Sequence, residues 1–246
     1  MTTVTAVTVL ATSLDGDRYS DFGLTLDTAL TTGTSGADVL SGTWLHDELQ
    51  GNNGADTLIG SMGEDNLLGG GGFDQLYGGM HGDTLDGGGG SVTLYGRSYD
   101  DSLAGGEGKG DDVLQGDSDN DILNAGKNDD DVEGNDGNDT LDGGNGDDDL
   151  RGGAGDDALT DGGGADTLSG GAGADVFDFN ADAATDQIDD FRDGIDLIEL
   201  HVAFNTLTFT DVAPGEVHVT HSGEILIIFD PSWSFTSADL TRADFL

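Results

Sequence analysis

A nine-residue period runs from about residue 33 to residue 179 and constrains this chain more than any other feature. Its clearest form is GGNGDDDLR, GGAGDDALT, DGGGADTLS and GGAGADVFD, which cover residues 143 to 178. Each unit has a glycine-rich start, an aspartate at position six and one large apolar residue at position eight. Position six is Asp38, Asp47, Asp56, Asp65, Asp74 and Asp83, then Val92, which breaks the pattern, then Asp101. Two extra residues in GGEGKGDDVLQ move the next one to Asp112. The beat resumes through Asp121, Asp130, Asp139, Asp148, Asp157, Asp166 and Asp175. Position eight is apolar in every unit, from Leu40 and Leu49 through Val132 to Leu168 and Phe177.

The parts dictate a local geometry. Glycine supplies the positive φ angles and bare backbone of a tight turn. A three-residue piece with one central apolar side chain is a minimal strand that points this side chain inward. Turn and strand alternate, so the chain winds as a coil with two nonads per circuit. Its strands stack in parallel as two facing sheets over one thin core. A single nonad cannot bury its apolar residue alone, so stacking is required. The expected fold class is therefore all-β.

The turns stack as well. Asp139, Asp157 and Asp175 fall on one side, and Asp130, Asp148 and Asp166 on the other. Carboxylates and glycine carbonyls of adjacent turns then surround a common space. Many hard oxygen ligands favour calcium; magnesium demands a tighter octahedron and keeps its water.

Composition narrows the function. Lys+Arg is 7 and Asp+Glu is 50, a formal net charge of −43. Such a chain repels itself and excludes nucleic acid as a partner. Calcium-free, this composition reads as disordered. Without cysteine, disulfides and thiolate metal sites are ruled out. The opening MTTVTAVTVLATSLDGD has neither the basic start nor the apolar core of an export signal peptide. No run approaches the roughly 18 apolar residues of a transmembrane segment. No enzyme is expected. H-E-x-x-H and G-x-S-x-G are absent, and His46, His81, His201, His218 and His221 form no ligand set. His218 and His221 are three apart in a sequence that reads as a strand, which puts their rings on opposite faces.

The nonad G-G-x-G-x-D-x-U-x resembles that of RTX proteins, whose units stack as a calcium-binding β-roll. The resemblance implies a right-handed parallel β-roll with N-terminal and C-terminal β caps. It implies several calcium ions held by Asp38, Asp56, Asp65, Asp74, Asp83, Asp101, Asp112, Asp121, Asp130, Asp139, Asp148, Asp157, Asp166 and Asp175. Backbone carbonyls of Gly137, Gly144, Gly146, Gly153, Gly155, Gly162, Gly164, Gly171 and Gly173 would complete the sites. The units from Gly134 to Phe177 keep most glycines and every aspartate, so they should bind most tightly. DQIDDFRDGIDLIEL resembles the segment after RTX repeats in serralysin-type proteases. LTRADFL resembles their uncleaved C-terminal secretion signal, with Asp244 before Phe245 and Leu246. Together these imply type I secretion machinery as a partner and a secreted, extracellular protein.

Three segments follow: an N-terminal strand or cap over 1–32, the roll over 33–179, and a C-terminal cap with secretion signal over 180–246. Residues 87–115 read as an irregularity between two rolls, because of Val92, Arg97, Tyr99 and the insertion. The functional expectation is a non-catalytic calcium-binding protein of the cell surface or matrix. The alternatives are a secretion and folding module related to RTX enzyme or toxin tails, and calcium-bridged adhesion to glycan or matrix. Ice binding would need a threonine ladder. Position three reads Ser35, Trp44, Asn53, Met62, Gly71 and Met80 instead.

Overall fold

The structure is a computed structural model. It describes residues 28–180, 184–192, 195–200, 208–213, 216–221, 224–229, 236–237, 240 and 244–245. The strand expected at VTAVTVLAT lies outside these residues. Among the described residues there is no helix long and apolar enough to cross a membrane.

Successive strands alternate between two sheets. As far as Leu197–Leu200, odd-numbered strands in chain order form one sheet of ten, and the even-numbered strands together with the last three strands form one of twelve. Within the roll every pairing is parallel and one circuit long. Leu150 lies beside Val132 and Leu168, and Leu141 beside Leu123 and Leu159. The parallel β-roll inferred from the period is the fold observed.

Position eight forms the core. Leu49, Leu58, Leu67, Leu76, Leu94, Leu114, Val132, Leu141, Leu150, Leu159, Leu168 and Phe177 are fully buried. Each burial stabilises by about 2 kcal/mol. The strands are longer than the expected three residues. Asp149–Ala154, for example, runs from position seven through position three of the next unit. Glycine explains the extension: position one also faces inward, where there is no room for a side chain. A Cβ on Gly134 would lie 2.3 Å from Asp139 Oδ2 and 2.7 Å from the Gly152 carbonyl oxygen. The backbone can therefore continue the ladder past the apolar residue before it turns.

The irregular stretch does not split the roll. Leu94 pairs with Leu114 and Leu103 with Leu123, so both ladders run through it. The two extra residues are absorbed in the bend between Gly106 and Val113. Arg97 and Tyr99 take positive φ values of 94° and 76°, as the turn demands of any residue there. The roll also reaches beyond its expected ends. Thr28–Thr32 pairs in parallel with His46–Asn53. Thr185–Ile188 and Leu197–Leu200 extend the two sheets by one strand each. Glu224–Phe229 then joins Thr185–Ile188 in parallel, and Glu216–His221 and Thr208–Ala213 follow antiparallel. Phe245 bridges to Ile198 and packs against the core, while Asp244 is buried.

Candidate metal centre

The position-six aspartates line the two bends as rows. One row enters the twelve-stranded sheet and contains Asp38, Asp56, Asp74, Val92, Asp112, Asp130, Asp148 and Asp166. The other contains Asp47, Asp65, Asp83, Asp101, Asp121, Asp139, Asp157 and Asp175. Every one of these carboxylates is buried. Oδ1 has a structural task, since it accepts the backbone N–H of the aspartate one circuit earlier. Asp121 donates to Asp139 at 2.8 Å, Asp139 to Asp157 at 2.8 Å, and Asp130 to Asp148 at 2.8 Å.

Oδ2 is different. In Asp56, Asp65, Asp74, Asp83, Asp101, Asp121, Asp130, Asp139, Asp148 and Asp157 it is buried without a hydrogen-bond partner. A buried unpaired acceptor costs about 1–3 kcal/mol, and more if charged. Repeated turn after turn, that cost calls for a cation. The backbone is arranged for one. Gly144, Gly153, Gly162 and Gly171 sit at φ of 92°, 117°, 97° and 90°. Gly137, Gly146, Gly155, Gly164 and Gly173 sit at φ of 151°, 147°, 138°, 142° and 156°. These angles hold successive turns close enough for carbonyl and carboxylate oxygens to share one space. A Cβ on Gly146 would lie 1.9 Å from the Asn128 carbonyl oxygen. Oxygen-only donors with excess negative charge fit calcium.

The protonation equilibria agree. Burial, reinforced by neighbouring carboxylates, pushes Asp83, Asp121, Asp130 and Asp157 up to about 7. It pushes Asp101 and Asp148 up to about 8. Asp65 and Asp112 rise to about 6. Asp56, Asp74, Asp139 and Asp175 also rise, again chiefly through burial. Without cations the folded rows cannot carry their full charge at neutral pH.

The sites differ along the rows. Asp38 Oδ2 accepts the Thr34 N–H at 2.6 Å and its hydroxyl at 2.8 Å. Asp47 Oδ2 is held in the same way by Thr43. Val92 fills the aspartate's place with an apolar side chain, and its N–H still donates to Asp112 Oδ1 at 2.8 Å. Three further aspartates join the rows without having been selected from the period. Asp186 Oδ1 accepts the Asp166 N–H, and Asp196 Oδ1 accepts the Asp175 N–H, both at 3.2 Å. Each also precedes a buried isoleucine by two residues, Ile188 and Ile198, so the aspartate-x-apolar signature was present in the sequence. Asp161 takes position one, normally glycine. Oxygens of Asp161, Asp166 and Asp186 lie within 4.8 Å of one another, all three residues being buried.

The described histidines are dispersed. His46 Nδ1 is 3.8 Å from Glu64 Oε2. His81 stacks on Tyr99, and His218 Nε2 lies 2.8 Å from Glu216. His201 lies outside the described residues.

No curated protein matches the chain. Among solved structures, the chain is similar to the extracellular lipase LipA from Serratia marcescens at 17% identity and a TM-score of 0.27. That similarity covers 89% of this chain and 40% of the lipase chain, so the protein spans well under half of that neighbour. The family described as the RTX calcium-binding nonapeptide repeat (4 copies) matches at residues 32–67, 41–76, 59–94, 77–109, 95–131, 108–141, 125–159, 142–177 and 152–185. These overlapping matches take in more than half of the chain and the whole of both aspartate rows up to Asp175. The chain belongs to the RTX calcium-binding nonapeptide repeat family.

Proposed function

We propose that the protein is a secreted calcium-binding roll that folds on reaching extracellular calcium and acts by binding, with no chemical step. The single observation that carries this reading is the repeated buried Oδ2 without a partner. A net charge of −43 must be neutralised before such a roll can close. Extracellular-type sites have dissociation constants of about 10⁻⁴–10⁻³ M. At ten times that concentration, each occupied site adds about 1.4 kcal/mol. About ten such sites would supply a stability typical of folded domains. Low cytosolic calcium would leave the chain unfolded and competent for export by a type I system. Millimolar external calcium would fold it at the cell surface or in the matrix.

The test is a calcium titration followed by far-UV circular dichroism, with magnesium as control. A steep rise in β signal between about 0.1 and 1 mM calcium is expected, reversed by chelator. A spectrum already folded in chelator, or an equal response to magnesium, would sink the reading.

A second reading, calcium-dependent adhesion to glycan, is favoured by one surface feature. Tyr77 and Tyr95 stack at 5.0 Å with their planes 3° apart, and Arg97 lies 5.6 Å and 5.3 Å from their ring centres. Beside them is an open cleft of about 500 Å³, walled by Ile59, Ser61, Tyr77, Met80, Arg97 and Ser98 around Gly78 and Gly79. It exists because Gly79 has no side chain between Ser61 and Arg97, its neighbours in register. An aromatic wall, two hydroxyls and a cation suit a sugar ring bearing a polar or acidic group. On a glycan array, binding is expected only with calcium and should be lost in a Tyr77→Ala/Arg97→Ala variant. Retention that ignores calcium or these substitutions would exclude the cleft.

A further inference from the structure

The last bend of the second row is closed differently from all the bends before it. Asp121, Asp139 and Asp157 each leave Oδ2 buried and without a partner. One circuit on, Asp175 Oδ2 is 3.1 Å from an Nη of Arg192. The same nitrogen donates to the Gly173 carbonyl oxygen and lies 2.9 Å from Asp196 Oδ1. Arg192 Nε donates to Asp196 Oδ2 at 3.3 Å, and the Arg192 backbone N–H to the same oxygen at 2.7 Å. Asp196 N–H returns a bond to the Arg192 carbonyl at 3.0 Å. The side chain is thus clamped between two buried carboxylates and a turn carbonyl, with Phe191 anchored in the core beside it.

Gly173 and Asp175 are the position-four carbonyl and position-six carboxylate of their unit. In the preceding unit of this row, Gly155 and Asp157 occupy those places, and the next turn brings up the Gly173 backbone and the Asp175 carboxylate: a Cβ on Gly173 would be 1.7 Å from the Gly155 carbonyl oxygen, and Asp175 Oδ1 accepts the Asp157 N–H at 3.1 Å. At Gly173 the group brought up is instead a guanidinium. Five fixed N–H donors and a permanent positive charge answer oxygens that a metal would otherwise neutralise. The first row ends in the opposite way. Asp161, Asp166 and Asp186 converge there.

We infer that Arg192 is a built-in substitute for calcium: the terminal site of the second row, at Gly173, Asp175 and Asp196, is filled by the guanidinium and takes no ion. This rests on the calcium-dependent roll proposed above and changes which of its aspartates bind metal. Asp175 and Asp196 serve as counter-ions to the guanidinium, the Gly173 carbonyl accepts a hydrogen bond from it, and the roll carries there a cation that chelators cannot remove.

The experiment is native mass spectrometry of the full chain in saturating calcium, with circular dichroism to verify the fold. Arg192→Gln removes the charge and opens the site, so it should bind one calcium more than the unmodified protein. Arg192→Gln combined with Asp175→Asn should return the count to the original. The single variant should also need more calcium to fold, and should fold fully once calcium is raised. A folded Arg192→Gln protein with an unchanged count overturns the inference. So does an Arg192→Gln protein that no calcium concentration refolds, because an ion able to take the vacated place would restore it. If the unmodified protein binds no calcium at all, the calcium-roll reading fails and not merely this assignment.

Discussion

Leu150→Asp is expected to abolish folding at any calcium concentration, and Leu150→Ala to cost about 2–5 kcal/mol. Leu150 is fully buried between Val132 and Leu168 in its own sheet. The core is only one position-eight layer thick on each sheet, so no second shell exists to relax into a cavity. A repeat array is stabilised by nearest-neighbour contacts, and one defective rung weakens the interfaces on both sides. A carboxylate at that point would be a buried charge without an oxygen cage or cation. Urea unfolding of Leu150→Ala in saturating calcium should show the midpoint falling markedly. Circular dichroism of Leu150→Asp should show no calcium-induced β signal. A folded Leu150→Asp protein would mean that the position-eight stack is not the core.

The second large effect is a reversal of pH dependence on removing calcium. Unfolded aspartates titrate near 3.8, whereas in the folded rows Asp83, Asp121, Asp130 and Asp157 titrate at about 7 and Asp101 and Asp148 at about 8. The folded chain then binds more protons than the unfolded chain between those values, so stability without calcium rises as pH falls. This contribution is complete below the unfolded value and is lost as pH rises through about 7 to 8. In chelator, the β signal should therefore be stronger at about pH 5.5 than at about pH 8, the lower value staying above the isoelectric point near 4.1. With calcium the direction inverts, because protons and metal compete for the same oxygens. The calcium midpoint should move to higher concentration on acidification. Asp148→Asn imitates the protonated state and should show both signs, gaining β structure in chelator and losing calcium affinity. Asp38→Asn should change calcium affinity much less, since Thr34 already satisfies Oδ2. Equal pH dependence with and without calcium would show that the rows are not the metal sites.

The repeat carried a great deal in plain sight. A strict aspartate-x-apolar register, with glycines before it, can be satisfied only if position eight points inward and position six lines the bend. Both follow from strand alternation and from what a Cβ would strike, so sheet assignment, pairing one circuit apart and burial of Leu40 to Phe177 were legible from residue order. The same signature in Asp186-Gln187-Ile188 and Asp196-Leu197-Ile198 was hidden by spacing. Asp166 to Asp186 and Asp175 to Asp196 exceed one regular circuit, and only the stacked turns show that the extra residues leave the rows intact. Likewise Arg97 and Tyr99 read as faults in the sequence but fit the turn by accepting positive φ.

What the sequence determined by itself was therefore the period, the inward face and the oxygen chemistry of the bends, because each depends on neighbours a few residues apart. Tertiary structure decided which carboxylate oxygens are left without a partner, since this depends on groups one circuit or more away. Thr34 and Thr43 quiet the first turns, Asp161 brings a carboxylate against Asp166 and Asp186 at the end of one row, and Arg192 closes the other. None of these can be read from the nonad, because the nonad specifies the shape of a turn and not what the next turn brings against it.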